Sequence, residues 1–160
     1  ARKVKELEIR DPLTGLFNKR YIFARLEEEI LRAISHQKPC SFIVLQLKGL
    51  ADLGKQYGDA VAEDILKKVS VVLKTCIGEL DRLGRIEDDE FAMVLSGKNK
   101  KMAQQMASLV REKVEMVFQG EDIRKKPHIH IAVVENPIDG VDSVSLLEKA
   151  KKSLKRESEV

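Results

Sequence analysis

Aromatic side chains are scarce: five Phe, two Tyr and no Trp make 4% of the 160 residues. Single-stranded nucleic-acid binders interleave aromatics with basic residues to stack bases. The basic runs at 98–101, 124–126 and 149–156 lack that pattern, so they read as solvated helix ends and loops and no nucleic-acid partner is expected. Cysteine is nearly absent too. Cys40 and Cys76 are isolated within apolar stretches and form no CxxC, which favours reduced, buried thiols over a disulfide framework or zinc site and points to the cytoplasm. No apolar run is long enough to span a bilayer, and the charged first residues are unlike a signal peptide. Direct membrane insertion of this segment is therefore not expected, although a parent protein could be membrane-bound. A net excess of one charge sign is also missing, with 29 basic against 26 acidic residues, so any charge-driven partner must be local.

What is present is enough apolar residue, 43%, to bury one sizeable core, and the length argues for one domain. Residues 2–10 read as the end of a charged helix, the tail of an upstream signalling helix over 1–10, leading into a turn at Asp11 and Pro12. Asn18 can cap a helix with Ile22, Leu26, Ile30 and Ile34 on its apolar face, closed by Lys38 and Pro39. Ser41 to Leu47 is β-branched and apolar and predicts a central strand covered on both faces, with a ligand expected near its C-terminal end. A second helical stripe runs through Val61, Ile65, Val69, Val72 and Cys76. After Gly78 come two short strands, Arg82 to Ile86 and Phe91 to Leu95, joined by the acidic turn Glu87, Asp88, Asp89. A third helix carries Met102, Met106, Leu109, Val110, Val114 and Val117. A strand from His128 to Glu135 follows, and after Asp139 and Gly140 a last helix carries Val144, Leu147, Ala150 and Leu154. This order predicts an α/β (α+β) domain, a mixed sheet with helices on its faces.

Several segments resemble one family. DPLTGLFNKR at residues 11–20 is similar to the entrance motif D-x-L-T-G-L-x-N-R-R of GGDEF domains, the bacterial diguanylate cyclases. Tyr57, Gly58 and Leu66 match the middle of a second family segment. Arg85, Asp89, Glu90, Phe91 and Ala92 match R-x-G-G-D-E-F-A, with EDDEF standing in place of the GGDEF signature, and the strand from His128 to Val134 falls where the family has T-V-S-I-G-V-A. The resemblance implies a degenerate GGDEF domain over 11–160 with the palm-like fold of class III nucleotidyl cyclases. In that family two facing domains each hold one GTP, and each ribose 3′-hydroxyl attacks the opposite α-phosphate to give cyclic di-GMP. Hard divalent cations held by oxygen ligands make the attack feasible.

Position by position, the resemblance also implies losses. The family's metal-binding Asp on the first strand aligns with Gln46, and its second Asp with Lys48. Glu87 and Asp88 replace two glycines that let the backbone approach the nucleotide. Asp tolerates positive φ better than most residues, so the hairpin is expected to survive while the cradle is blocked. Asp89 and Glu90 keep the vestigial catalytic acids, Asp89 being the metal ligand if any is held. Four consecutive negative charges at 87–90 should repel a triphosphate. The base-reading Asn and Asp align with Gly54 and Glu63, and the R-x-x-D of the inhibitory product site with Gly78 and Asp81, so the Arg that would fork onto phosphate or guanine is gone. A phosphate-binding Lys of the last helix aligns with Ser158, although Lys151, Lys152 and Lys155 lie nearby. Lys19 and Arg20 are expected to fix the entrance turn through Asp11. His128 and His130 share a strand face but have no third ligand for zinc.

The reading this supports is a catalytically inactive signalling module, a pseudoenzyme of a bacterial cyclic-di-GMP pathway that acts through a protein partner or self-association and expects no cofactor. One alternative is a slow or metal-shifted cyclase using Mg²⁺ or Mn²⁺ at Asp89. Another is a non-catalytic receptor for GTP or cyclic di-GMP, with Gly54, Glu63 and Arg85 as the nucleotide-binding positions that could remain.

Overall fold

The computed structural model describes residues 8–159. Of the helix expected over 2–10, residues 1–7 lie outside that range; Glu8 and Ile9 are helical, and Arg10 forms an isolated bridge with Phe17.

Asn18 opens α1 (Lys19–His36) by accepting from the Tyr21 amide at 2.9 Å, satisfying one of the donors that every helix start leaves unpaired. Gln37 ends it in the left-handed conformation, φ 53°, just before Pro39. Next come β1 (Cys40–Lys48), α2 (Leu50–Tyr57) and α3 (Asp59–Lys74), then the hairpin β2 (Arg82–Glu87) and β3 (Glu90–Ser96). Helix α4 (Lys100–Val117), capped by Asn99, a short 3-10 turn at Ile123–Lys125, β4 (His128–Asn136) and α5 (Ser143–Glu159) complete the chain. The sequence pattern missed α2 because its eight residues are too few to show a periodic stripe beside Gly54.

The sheet order is β2-β3-β1-β4, and every pairing of named strands is antiparallel. Among the described residues a parallel contact enters only as the isolated bridge from Phe17 to Gly84, so the expected mixed sheet narrows to that edge. β1 is central and, as its composition predicts, buried on both faces from Cys40 to Leu45. Alternation along the strands divides the core in two. Ile43, Leu45, Phe91 and Met93 pack under α2, α3 and α4, whereas Phe42, Val44, Ala92, Val94, Ala132 and Val134 pack under α1 and α5.

The helical stripes are shifted from the expected ones at four positions. Ile34, Met102, Leu109 and Val144 are exposed, and the buried places go to Ala33, Ala103, Ala107 and Leu146. On α1 and α4 the buried places go to alanines, which let a helix lie close on the sheet along its line of contact, whereas on α5 the large side chain of Leu146 takes the place. Both cysteines are buried and free. Burial, reinforced by the charges of Glu29 and Glu135, pushes the Cys40 thiol up to about 11.

β4 is an edge strand, and its outward backbone groups are partly covered. Arg111 of α4 donates to the Ile129 carbonyl at 2.9 Å and to Glu157 of α5 at 2.8 Å, while the Ile131 amide donates to the other oxygen of Glu157 at 3.0 Å. Farther along, Asp139 accepts from the Glu135 amide at 2.9 Å. Side chains thus stand where a fifth strand would pair.

Candidate functional site

At the C-terminal end of β1, register brings three residues into one row across the sheet. Glu90 of β3 lies opposite Gln46 of β1, which lies opposite His130 of β4. Because alternate residues share a face, this row lies on the side of Val44, Ala92 and Ala132, beneath α5. Glu90 is buried, 5% exposed, and its Oε1 accepts a hydrogen bond from the Lys151 ammonium of α5. Lys48, opposite His128 at the end of β1, is exposed.

The hairpin beside this row turns through Asp88 and Asp89, with a bulge between Arg85 and Glu87. Neither Glu87 nor Asp88 has a positive φ, so the tolerance expected of Asp is not used: the bulge supplies the extra residue instead. The Leu47 amide donates to the Asp89 carbonyl at 2.8 Å and ties the turn to β1. The expected block of four negative charges is also reduced. Lys19 pairs with Glu87 at 2.7 Å and Lys151 with Glu90, leaving Asp88 and Asp89 as the carboxylates of the run without a bonded cation among the described residues.

The entrance turn is held differently from expectation. Asp11 accepts from the Thr14 amide and hydroxyl at 2.9 and 2.7 Å, and its cationic partner is Arg85 at 3.3 Å, not Lys19 or Arg20. Arg85 also donates to the Asp88 carbonyl at 2.8 Å, so its guanidinium braces the hairpin against the entrance turn. Sequence separation hid this contact, since the two residues stand 74 positions apart.

Two other regions complete the geometry. Gly54 of α2 is buried against α3: a Cβ there would lie 3.5 Å from the Ala62 Cβ, while the neighbouring Glu63 is exposed. Asp81, 3% exposed, accepts from the Gly78 amide at 2.9 Å and from Lys98 at 2.9 Å, a partner the sequence reading missed. Gly78 and Asp81 border a cavity of about 400 Å³ that Arg10, Phe17, Tyr21, Lys74 and Arg82 also line. Within it Phe17 stacks on Tyr21 at 4.1 Å and the Arg10 guanidinium lies 4.0 Å over Phe17. The side chain of Ser158 is outside the described residues.

The entrance turn, the central β1 and the acidic hairpin are thus assembled as the sequence resemblance requires, and residues 8–159 match the family described as "Diguanylate cyclase, GGDEF domain". The chain belongs to the GGDEF family. It is 27% identical over 114 residues to the probable diguanylate cyclase DgcT of Escherichia coli strain K12, covering 71% of this chain and 25% of that protein. Against diguanylate cyclase A of Treponema denticola it is 25% identical over 155 residues, covering 93% and 41%. The chain therefore spans well under half of these relatives. Among solved structures, the GGDEF domain of DgcB from Caulobacter crescentus in complex with c-di-GMP superposes with a TM-score of 0.83 at 16% identity, covering 95% of this chain and 88% of that one. Diguanylate cyclase SiaD from Pseudomonas aeruginosa, in complex with its activator SiaC, gives 0.79 at 23% identity over 99% and 61%. At these identities the likeness shows the fold.

The divalent cation that GGDEF chemistry implies needs converging hard oxygen ligands. Here the row offers one amide, one carboxylate already held by an ammonium and one imidazole, the turn beside it adds Asp89, and no group of three His, Cys, Asp or Glu among the described residues could hold a metal ion. The donor set does not fit the ion.

Proposed function

We propose that this chain is a catalytically silent GGDEF module of a bacterial cyclic-di-GMP pathway that works by protein association, with residues 11–160 as the module and the preceding residues as the end of a signal-carrying helix. The observation that carries the reading is the replacement opposite Glu90: Gln46 occupies the facing position on β1, with exposed Lys48 two residues on. Phosphoryl transfer relies on cations to offset developing charge, and a neutral amide beside a lysine supplies no second anionic ligand. Asp89 remains the position for Mg²⁺ or Mn²⁺ if any nucleotide binds. Loss of a base-reading group at Gly54 removes one basis for selecting GTP. The complex of SiaD with SiaC supports the association half, because it shows a protein of this fold engaged by a separate protein.

The deciding experiment incubates the domain with GTP and Mg²⁺, then Mn²⁺, and chromatographs the products. No cyclic di-GMP is expected. Product that disappears in Asp89→Ala overturns the reading in favour of the slow cyclase.

One observation favours the receptor as a second reading. The cavity beside Gly78 and Asp81 retains three cations, Arg10, Lys74 and Arg82, with the Phe17–Tyr21 stack. Calorimetry with cyclic di-GMP tests it: saturable heat that is lost in Arg82→Ala supports the receptor, and no heat removes it.

A further inference from the structure

We infer that Lys151 serves as a resident cation for Glu90, an internal ammonium that neutralises this carboxylate and closes the Glu90–Gln46 row to metal. The inference rests on the silent-module reading and extends it, because loss of a ligand at Gln46 explains why metal binding is weak but not what neutralises the carboxylate left behind. A buried, unpaired carboxylate is costly, so its charge must be met. Glu90 is 5% exposed, and the cation that meets it comes from α5, not from the sheet.

The surroundings agree with that role. The row beneath α5 is Glu90, Gln46 and His130, in which the facing amide brings no charge and the ammonium bonded to the Glu90 carboxylate is that of Lys151. Ala150 and Leu154 on α5 are buried against the sheet on either side of Lys151 in sequence, so the helix fixes where the ammonium falls. The Lys151 side chain is 39% exposed: its stem reaches inward along the helix while part stays in water, as long cationic side chains do. One ammonium on one carboxylate leaves the pair neutral and occupies Oε1, which lowers the attraction of the group for a hard cation. The pair also links α5 to the β2–β3 hairpin, across 61 residues of sequence.

The test compares melting temperatures with and without millimolar Mn²⁺, in the absence of nucleotide, so that it reads metal and stability separately from turnover. The unaltered chain is expected to melt at the same temperature in both. Lys151→Met should melt about 5 °C lower, since it strands Glu90. Glu90→Gln/Lys151→Met, which removes both charges, should recover much of that loss. Gln46→Asp alone should still ignore Mn²⁺, whereas Gln46→Asp/Lys151→Met, with two facing carboxylates and no ammonium, should gain about 3 °C in Mn²⁺. Three results overturn the inference: a Lys151→Met variant as stable as the parent, a charge-free double variant no more stable than Lys151→Met, or Gln46→Asp responding to Mn²⁺ as strongly as its Lys151→Met derivative. Any of them, with GTP still unconverted, leaves the silent-module reading standing. Conversion of GTP by the unaltered chain defeats that reading on its own terms.

Discussion

Gly84 shows how tightly the entrance motif is packed on the hairpin. A Cβ at that position would lie 2.1 Å from Ile22 Cγ1 and 2.8 Å from the Phe17 carbonyl, and the carbonyl belongs to the backbone that bonds the Arg85 amide at 2.9 Å. Since neither neighbour can withdraw cheaply, Gly84→Ala should lower stability by about 1–3 kcal/mol, read from the urea midpoint at unchanged slope. Asp139 has a titration consequence. Burial pushes its carboxyl up, but hydrogen bonds from Lys100 and the Glu135 amide, with the charges of Lys100 and Lys149, outweigh burial and hold it below the ordinary 3.8. A depressed carboxyl contributes stability above 3.8 that is lost as pH falls through the lower folded value. Asp139→Asn should therefore cost about 1–2 kcal/mol at neutral pH and melt with a flatter dependence on pH below 3.8, checked by thermal scans across the acid range.

Among the elements, α1 depends on its ends. Its first turn holds no acidic residue to complement the helix dipole, so the Asn18 side chain alone satisfies the Tyr21 amide. Asn18→Ala should lower stability by about 1 kcal/mol, and Asn18→Asp should recover part of it, restoring the acceptor and adding a negative charge but losing the 2.8 Å bond from the Asn18 side-chain amide to the Glu8 carbonyl; denaturant titrations of the two variants separate these effects. The cap was legible in the sequence because it is a contact between neighbours. The buried face of α1 was legible to Ile30 and failed at Ile34, which is exposed in the last turn while Ala33 takes the contact.

For the whole molecule, the exposed flank is β4. The Arg111–Glu157 clasp occupies the Ile129 carbonyl and the Ile131 amide from helices on opposite faces of the sheet. An open strand edge invites pairing with another chain, so Arg111→Ala should raise self-association while changing secondary structure little, which sedimentation at rising concentration and circular dichroism would show. An unchanged monomer fraction would mean that the remaining cover, including Asp139 at Glu135, suffices.

By itself the sequence determined the alternation of helices and strands, the burial of β1 on both faces and the family, since local composition, spacing of apolar residues and the entrance motif are written in contiguous residues. Tertiary structure alone decided what meets the charges that remain. Arg85 with Asp11, Lys98 with Asp81 and Lys151 with Glu90 join residues 74, 17 and 61 positions apart. Such pairs carry no period or local spacing in the chain; they exist because the sheet register and the helices packed on it bring the two groups within bonding distance.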